Sequence, residues 1–270
     1  MYRIWGFVAN VENTVVSYNR NHYTHGIMQK NIARAAEQIG KATYLSAFTG
    51  AGISVESGIP PFRGKNGLWN RYDPALFEIE YYMSYPEESW PLMVKLFYET
   101  FEHAAPNRAH EVLAALEREE RLKALITQNI DNLHYRAGSR NIVEYHGNPR
   151  ELVCTACGKT CPVTPEILTP EVPYCTCSGL LKPAFVFFGE GIPPKAARDS
   201  DRIARKTDVM IVIGTTGSVY PAALIPRDAK MHGAVIIEVN PEASEYTHSV
   251  TDTFIKGQAG MIMDDIYGRL

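Results

Sequence analysis

Long apolar runs, an excess of one charge and low-complexity tracts are all missing from this chain of 270 residues. No apolar run approaches the roughly 20 residues that a membrane-spanning helix needs. The N-terminal residues contain one early arginine but no sustained apolar stretch or small-residue cleavage site, so they make a poor secretory signal. The net charge of −3 lacks the basic excess of a general nucleic-acid binder. We therefore expect a cytoplasmic protein without direct nucleic-acid or membrane binding.

Cysteine is also scarce, and its five copies lie in one segment. Four form the close pairs Cys154 with Cys157 and Cys175 with Cys177, and Cys161 lies between the pairs. Without a secretion signal, clustered cysteines indicate a metal before disulfides. Two such pairs can complete the tetrahedral coordination of one Zn²⁺, and four thiolates leave no open position for water, which predicts a structural ion. The second pair has one spacer residue where two are usual, so Cys161 could replace Cys175. Free buried cysteines are the simpler alternative.

The remaining composition is that of a globular protein, since 45% of the residues are hydrophobic. Helical spacing of apolar residues occurs at 27–39, and further helical stretches lie at 87–103 and 108–119. Short apolar segments, several apolar on both faces as in buried parallel strands, are predicted as strands at 44–48, 122–127, 142–145, 209–213, 235–239 and 253–255. The alternation of strands and helices predicts a doubly wound α/β sheet.

Three segments do not fit this alternation. Residues 1–26 show no periodicity and are interpreted as an extension. Residues 65–105 are helical and rich in aromatic side chains, and residues 149–182 contain the cysteines and several prolines. We expect the last two segments to be insertions that form a smaller module.

Small and polar residues follow five of the predicted strands. Ligands of open α/β sheets bind beyond the carboxyl ends of the strands, so these residues should meet at one rim. They are Thr49–Gly64, Thr127–His134, His146 with Gly147, Gly214–Ser218, and Asn240–Glu242. The first segment fits the dinucleotide fingerprint G-x-G-x-x-G only in part, and it looks too rich in glycine and proline to form a helix or strand.

Each of the other segments has a plain and a functional interpretation. Gly214–Ser218 could be an ordinary turn, but its glycines and hydroxyls suit a phosphate. Asn240 and Glu242 resemble residues that bind ribose hydroxyls, although Asn-Pro is also a common turn sequence. Asn129 and Asp131 lie two residues apart, so on an extended chain they would face the same way.

One histidine at the rim is a candidate general base. His146 follows a strand and can exchange a proton near neutral pH, although a single histidine is more often structural. His134 competes for this role on sequence alone, and His110, inside a predicted helix, is a weaker rival.

Taken together, these segments resemble those of a known family, the sirtuins, which are NAD-dependent protein lysine deacylases. The segments that carry the resemblance are GAGISVESGIPPFRGKNGLW, TQNIDNLH, EYHG, the two cysteine pairs, FFGE, GTTGSVYPAA and VNPE. They occur in the family's order and cover the chain from about Met28 to its end. The resemblance implies a Rossmann-like large domain, about 28–64, 106–148 and 183–270, after an extension over 1–27. It also implies a small domain made of a helical module, about 65–105, and a zinc module, about 149–182.

The resemblance also assigns the site residues. His146 would be the general base, with Asn129 and Asp131 also catalytic. The residues that it implies for NAD are Gly50, Ala51, Gly52, Ser54, Phe62, Arg63, Gln128, Asn129, Ile130, Asp131, Gly214, Thr215, Thr216, Asn240, Glu242 and Ala259. One structural zinc ion would bind Cys154, Cys157, Cys175 and Cys177. An acetylated protein or peptide would add as a strand between Tyr220 and the segment Val186, Phe187, Phe188, Gly189 and Glu190.

The implied activity is removal of acetyl groups from protein lysines, with nicotinamide and O-acetyl-ADP-ribose as products. Two alternatives stay open: transfer of ADP-ribose to protein, and a non-catalytic zinc module that senses NAD. The sequence departs from the family at Pro61, which stiffens its loop and removes a donor, and at the short spacing of Cys175 and Cys177. A third departure is Phe101, three residues after Tyr98, where relatives that remove acidic acyl groups carry arginine; this predicts a neutral acyl group.

Overall fold

The structure is a computed structural model that describes residues 26–62, 67–169 and 171–270. The predicted N-terminal extension, apart from its last two positions, lies outside the described residues. No helix in the described part of the chain is both long and apolar enough to cross a membrane.

The described strands, numbered along the chain, form two sheets. They are β1 (Leu45–Thr49), β2 (Leu122–Thr127), β3 (Ile142–Glu144), β4 (Gly147–Cys154), β5 (Thr160–Pro162), β6 (Leu181–Phe185), β7 (Val209–Ile213), β8 (Val235–Asn240) and β9 (Thr253–Lys256). The larger sheet has the order β3-β2-β1-β7-β8-β9, and all of its neighbouring strands are parallel. Its six strands are those predicted from the sequence, so the doubly wound α/β sheet is confirmed.

Nine α-helices occur in the described part of the chain. They are α1 (residues 26–41), α2 (Ile79–Ser84), α3 (Pro86–Met93), α4 (Thr100–His103), α5 (Arg108–Arg118), α6 (Leu133–Ala137), α7 (Pro194–Lys206), α8 (Leu224–Met231) and α9 (Ala259–Tyr267). Successive strand residues point to opposite faces. In β7, Ile211 therefore packs in a core with α1, α5 and α9, and Val212 packs in a second core with α7 and α8. This two-sided burial explains why the strands are apolar on both faces.

The smaller sheet is antiparallel, with the order β5-β4-β6. The sequence did not predict its strands, which are short or interrupted by proline. It shares a third core with the aromatic helical segment, where Phe185 and Phe187 lie together with Tyr82, Trp90 and Phe97. The two insertions of the sequence therefore pack against each other.

The predicted helical stretch at 87–103 is confirmed: it is helical throughout, as α3, a π-helical turn over Val94–Glu99 and α4. One local prediction was wrong. The glycine-rich loop contains a 3₁₀ helix, Ala51–Ser57, although it was expected to be too rich in glycine and proline for a helix. The prolines come only after Gly58, which ends this helix in the left-handed conformation with a φ of 86°, so nothing within the helix interrupts it.

Candidate active site

The carboxyl ends of β1 and β7 form a cradle of glycine backbone. The amide of Gly52 donates to the carbonyl of Gly214 over 2.8 Å. A Cβ on Gly52 would lie 2.6 Å from the Cα of Gly214, and Gly214 itself has a φ of 66°. Gly50 is equally confined, since its Cβ would meet the same carbonyl at 2.8 Å. Only glycine fits these positions, and the bare backbone leaves room for a phosphate group to approach.

A buried polar network lies beside this cradle. The Ser54 hydroxyl donates to the Asp131 carboxylate over 2.6 Å and accepts from the Asn129 amide at 3.2 Å. The same amide reaches the Gly50 carbonyl at 3.2 Å. Burial is the main influence on Asp131 and raises the pKa of its carboxyl group, against the hydrogen bond from Ser54. Asn129 and Asp131 therefore do face the same way, as predicted, and both meet Ser54.

His146 lies in the short link between β3 and β4, where the two sheets meet. Its Nδ1 lies 3.0 Å from the carbonyl oxygen of Gln128. Because a carbonyl can only accept, Nδ1 must carry the proton, which leaves Nε2 with its lone pair. Burial lowers the pKa of His146, and the hydrogen bond to Gln128 opposes this effect. The carbonyl of His146 accepts from the Val186 amide. This histidine is thus held from both sheets as a neutral group with a free acceptor nitrogen.

The two rival histidines are buried and have hydrogen-bond partners within the fold. His134 is buried, its Nε2 lies 2.9 Å from the Thr49 hydroxyl, and burial lowers its pKa well below the usual value. His110 lies in the first turn of helix α5, where its Nδ1 accepts from the amide of Asn107 in a capping box. Burial lowers the pKa of His110 to about 4. Its Nε2 lies 3.5 Å from the Ser54 hydroxyl, so His110 contacts the polar network through Ser54.

Of the residues predicted for the adenosine half of NAD, Asn240 contacts Thr215, and so does Gln128, which was predicted for the nicotinamide and ribose pocket. Gln128 donates to the Thr215 hydroxyl over 3.1 Å, and the Asn240 amide donates to the Thr215 carbonyl over 3.0 Å. Glu242, by contrast, is exposed and pairs with Lys256. Ala259 begins helix α9, and the next amide, that of Gly260, donates to Glu56 of the 3₁₀ helix over 2.7 Å. Thr216 is hydrogen-bonded to Ser218 within its own turn.

A cavity of about 230 Å³ extends from the polar network toward the helical segment. Its polar wall contains Asn129 and Asp131, and its apolar wall includes Phe62, Phe101 and Ile130. Phe62 is held against Trp69, with ring centroids 5.2 Å apart. The carbonyls of Pro61 and Phe62 accept from the amides of Leu68 and Trp69, so these two pairs of residues lie side by side. Arg63, which was predicted to contact NAD, lies outside the described residues.

The segment predicted for the peptide substrate is partly used by the fold. The amide and carbonyl of Phe188 are hydrogen-bonded to the backbone of Phe77 and Ile79. The side chain of Phe187 is buried at 3% exposure, and its amide donates to Glu190. The sequence missed the partner of Glu190, which is Lys182 at 3.0 Å. The Phe188 side chain is exposed. Phe187 thus belongs to the core, whereas Val186 is partly buried and Gly189 is exposed.

The four paired cysteines form one cluster, and their sulfur atoms all lie within 4.8 Å of one another. Cys154 lies 3.5 Å from Cys177, and Cys157 lies 3.8 Å from Cys175. Cys161 is on β5, outside the cluster, and packs against the third core. Four thiolates at these distances fit one tetrahedral Zn²⁺. The one-residue spacer of the second pair therefore does not prevent a four-cysteine site, and Cys161 is not needed as a ligand.

Glu238 is a further residue that sequence reasoning missed. It is fully buried in β8 and accepts hydrogen bonds from Asn240, Ser244, Thr247 and Thr251. The signal in the sequence is a single acidic residue within the apolar run VIIEVN.

Comparisons with known proteins agree on one family. A sequence model of the Sir2 family matches residues 50–221. The NAD-dependent protein deacylase 1 of Archaeoglobus fulgidus is 44% identical over 230 residues, which are 84% of this chain and 93% of the relative. The NAD-dependent protein deacetylase of Sulfolobus acidocaldarius is 44% identical over 241 residues, which are 88% of this chain and 94% of that protein.

Solved structures give the same result. A mutant Sir2 homologue in complex with ADP-ribose superposes with a TM-score of 0.83 at 42% identity, over 87% of this chain and 95% of that one. A further mutant, bound to 2′-O-acetyl ADP-ribose, has a TM-score of 0.81 at 42% identity, with coverages of 87% and 94%. A Sir2 complex with a p53 peptide and NAD⁺ has a TM-score of 0.79 at 33% identity, with coverages of 86% and 95%.

Proposed function

The chain belongs to the Sir2 family, and from this premise we propose that it is an NAD-dependent protein lysine deacetylase. Its products would be the free lysine, nicotinamide and O-acetyl-ADP-ribose. The support comes from relatives that are named NAD-dependent deacylases and deacetylases and from a homologue bound to an acetylated ADP-ribose.

One observation carries the proposal for this chain's own residues. His146 keeps Nδ1 on the Gln128 carbonyl, so its free Nε2 can take a proton from a hydroxyl group at the rim. The lowered pKa of His146 keeps the ring in the neutral, basic form at neutral pH. We assign His146 as the general base on this ground.

The other site residues would bind and orient NAD. When bound, NAD supplies a ribose carbon that the acetyl oxygen can attack as nicotinamide leaves. Gly50, Gly52 and Gly214 would admit its phosphates to bare backbone, and the confined Cβ positions support this assignment. Asn129 and Asp131, fixed by Ser54, would hold the nicotinamide half. Ala51, Ile130, Thr216, Glu242 and Ala259 complete the proposed contacts, together with Gln128, Thr215 and Asn240.

The aromatic residues would exclude water from the reacting atoms. Phe62 packs on Trp69 at the edge of the cavity and would shield an amide that is a weak nucleophile. Phe101 adds an apolar wall, which favours a neutral acyl group such as acetyl. Arg71 and Lys95 also line this cavity, so an acidic acyl group is the alternative to test.

The remaining proposals concern organisation. We propose domain boundaries at the positions expected from the sequence, because one core joins the two inserted segments. Zinc at the four cysteines would be structural, since four sulfur ligands fill a tetrahedral site. We propose a cytoplasmic location, as expected from the sequence. The substrate would be an acetylated protein or peptide.

The decisive experiment combines the protein with NAD and an acetyl-lysine peptide. A deacetylase releases nicotinamide only when the acetylated peptide is present, and a His146→Ala variant loses this release. Nicotinamide release without the acetyl group, with label transferred to protein, would instead support ADP-ribosyl transfer. Binding of NAD without any turnover would support a sensor. A panel of acetyl, butyryl and succinyl peptides then tests the neutral acyl group.

A further inference from the structure

Glu238 is an acidic residue buried where no cation pairs with it among the described residues. It lies in β8, two residues before Asn240, and has no exposed surface. A buried carboxylate without a partner is strongly unfavourable, so its hydrogen bonds must balance the charge. Its hydrogen bonds come from Asn240 at the end of β8 and from the segment that follows the strand.

The direction of these hydrogen bonds is fixed. The Ser244 hydroxyl accepts from the Tyr246 amide, and the Thr247 hydroxyl accepts from the Ser244 amide. Both hydroxyl protons are therefore free to point at Glu238, at 2.6 Å from Ser244 and 2.9 Å from Thr247. Thr251 donates as well, over 2.7 Å. Glu238 is thus an acceptor only, and the loop wraps around it.

This has a consequence for Asn240. Its Nδ2 lies 3.0 Å from Glu238 and 3.0 Å from the carbonyl of Thr215. Both partners can only accept, so both amide protons of Asn240 are used, and the oxygen Oδ1 is the atom left for a ligand. Asn240 therefore presents an acceptor to the rim, and Glu238 makes this orientation obligatory.

We propose that Glu238 is a positioning residue that makes Asn240 select a ribose hydroxyl over a ribose phosphate, and so selects NAD over NADP. The inference rests on the proposed function, in which Asn240 binds the adenosine ribose. A hydroxyl can donate to Asn240 Oδ1, whereas a phosphate dianion has no proton to donate and is repelled by the charge of Glu238.

The test measures binding of ADP-ribose and of ADP-ribose 2′-phosphate by calorimetry. In Glu238→Gln the new side-chain amide can donate a hydrogen bond, so the side-chain amide of Asn240 can flip and present its NH₂ group to the ligand. The preference for ADP-ribose should then fall about tenfold, which corresponds to the free energy of one hydrogen bond to a charged group. Asp252→Asn is the matched control, because Asp252 accepts from the Ile236 amide of the same strand and from Lys230 but does not contact Asn240. Its preference should equal that of the wild type.

The outcomes separate the inference from the function. Wild-type preference in a folded Glu238→Gln variant, or an equal loss in Asp252→Asn, overturns the inference and leaves the function intact. Failure of the wild type to bind either compound overturns both. If Glu238→Gln does not fold, Asn240→Ser serves as the second test, because a serine hydroxyl can rotate to donate or to accept. An unchanged preference for ADP-ribose in that variant also rejects the inference.

Discussion

The six-stranded sheet and the cysteine module are held together by different forces. In the large sheet, all residues of β1 and β7 are buried and helices cover both faces, so apolar burial stabilises the fold. In the cysteine module, by contrast, Cys157 and Cys177 are exposed and β5 has only three residues. The part of this module that carries the cysteines buries few apolar side chains of its own, so its folding must depend on bonds to a metal.

The candidate active site lies where these regions join. His146 is in the link between β3 of the large sheet and β4 of the small one, and it is hydrogen-bonded to the segments that follow β2 and β6. The large sheet and the small one thus hold the proposed base between them. We therefore expect changes in the large sheet and changes in the cysteine module to affect activity through different mechanisms.

The largest expected effect is loss of the metal. In Cys175→Ser the affinity for Zn²⁺ should fall more than about 100-fold, since changes to groups that only surround a metal's ligands already cost 10–100-fold. Metal analysis after mild chelation, with thermal unfolding, measures this. Cys161→Ser is the control and should keep its zinc. The opposite result, in which only Cys161→Ser loses the metal, would mean that Cys161 is a ligand.

Loss of the base should leave both regions folded. In His146→Ala we expect turnover to fall about 10²–10⁴-fold, the usual contribution of a general base, with little change in the melting temperature. His103→Ala, on the exposed face of α4, is the matched histidine control. Turnover of His146→Ala within a few-fold of the wild type would remove this residue from the mechanism.

Acid should weaken the large sheet through its buried histidines. The pKa of His110 is about 4 in the folded protein against 6.5 for the ordinary group, so between these values the unfolded chain binds more protons. The free energy of unfolding should therefore decrease as the pH falls from 6.5 to 4, by about 3 kcal/mol from this residue. Denaturant unfolding at several pH values measures it. A His110→Gln variant with the same pH dependence would contradict this explanation.

The smallest effect concerns the glycine cradle. Gly52→Ala places a Cβ against the backbone of Gly214 and should destabilise the protein by about 1–3 kcal/mol, with weaker binding of ADP-ribose. Gly40→Ala, where a Cβ meets nothing within 4 Å, should bind ADP-ribose as the wild type does. Equal binding by both variants would show that the close approach of the two loops is not needed.

Sequence reasoning succeeded where a local pattern has one structural solution. The apolar strands were predicted correctly because burial on both faces leaves no polar positions in them. The four zinc-cluster cysteines were identified by their close pairing. The 3₁₀ helix after Gly50 was missed because composition alone cannot show that its prolines begin only after Gly58. The strands of the small sheet were missed because β5 and β6 contain proline and have no alternation.

The sequence by itself determined the order of strands and helices, the polar residues at the strand ends and the metal ligands, since each follows from periodicity or spacing along the chain. Only the tertiary structure decided the surroundings of the three candidate histidines, because their burial and the contacts of His146, His134 and His110 with Gln128, Thr49 and Ser54 involve segments that are distant in the chain. It also decided that Asn240 offers an oxygen to the rim, because that orientation depends on Glu238 and Thr215 together.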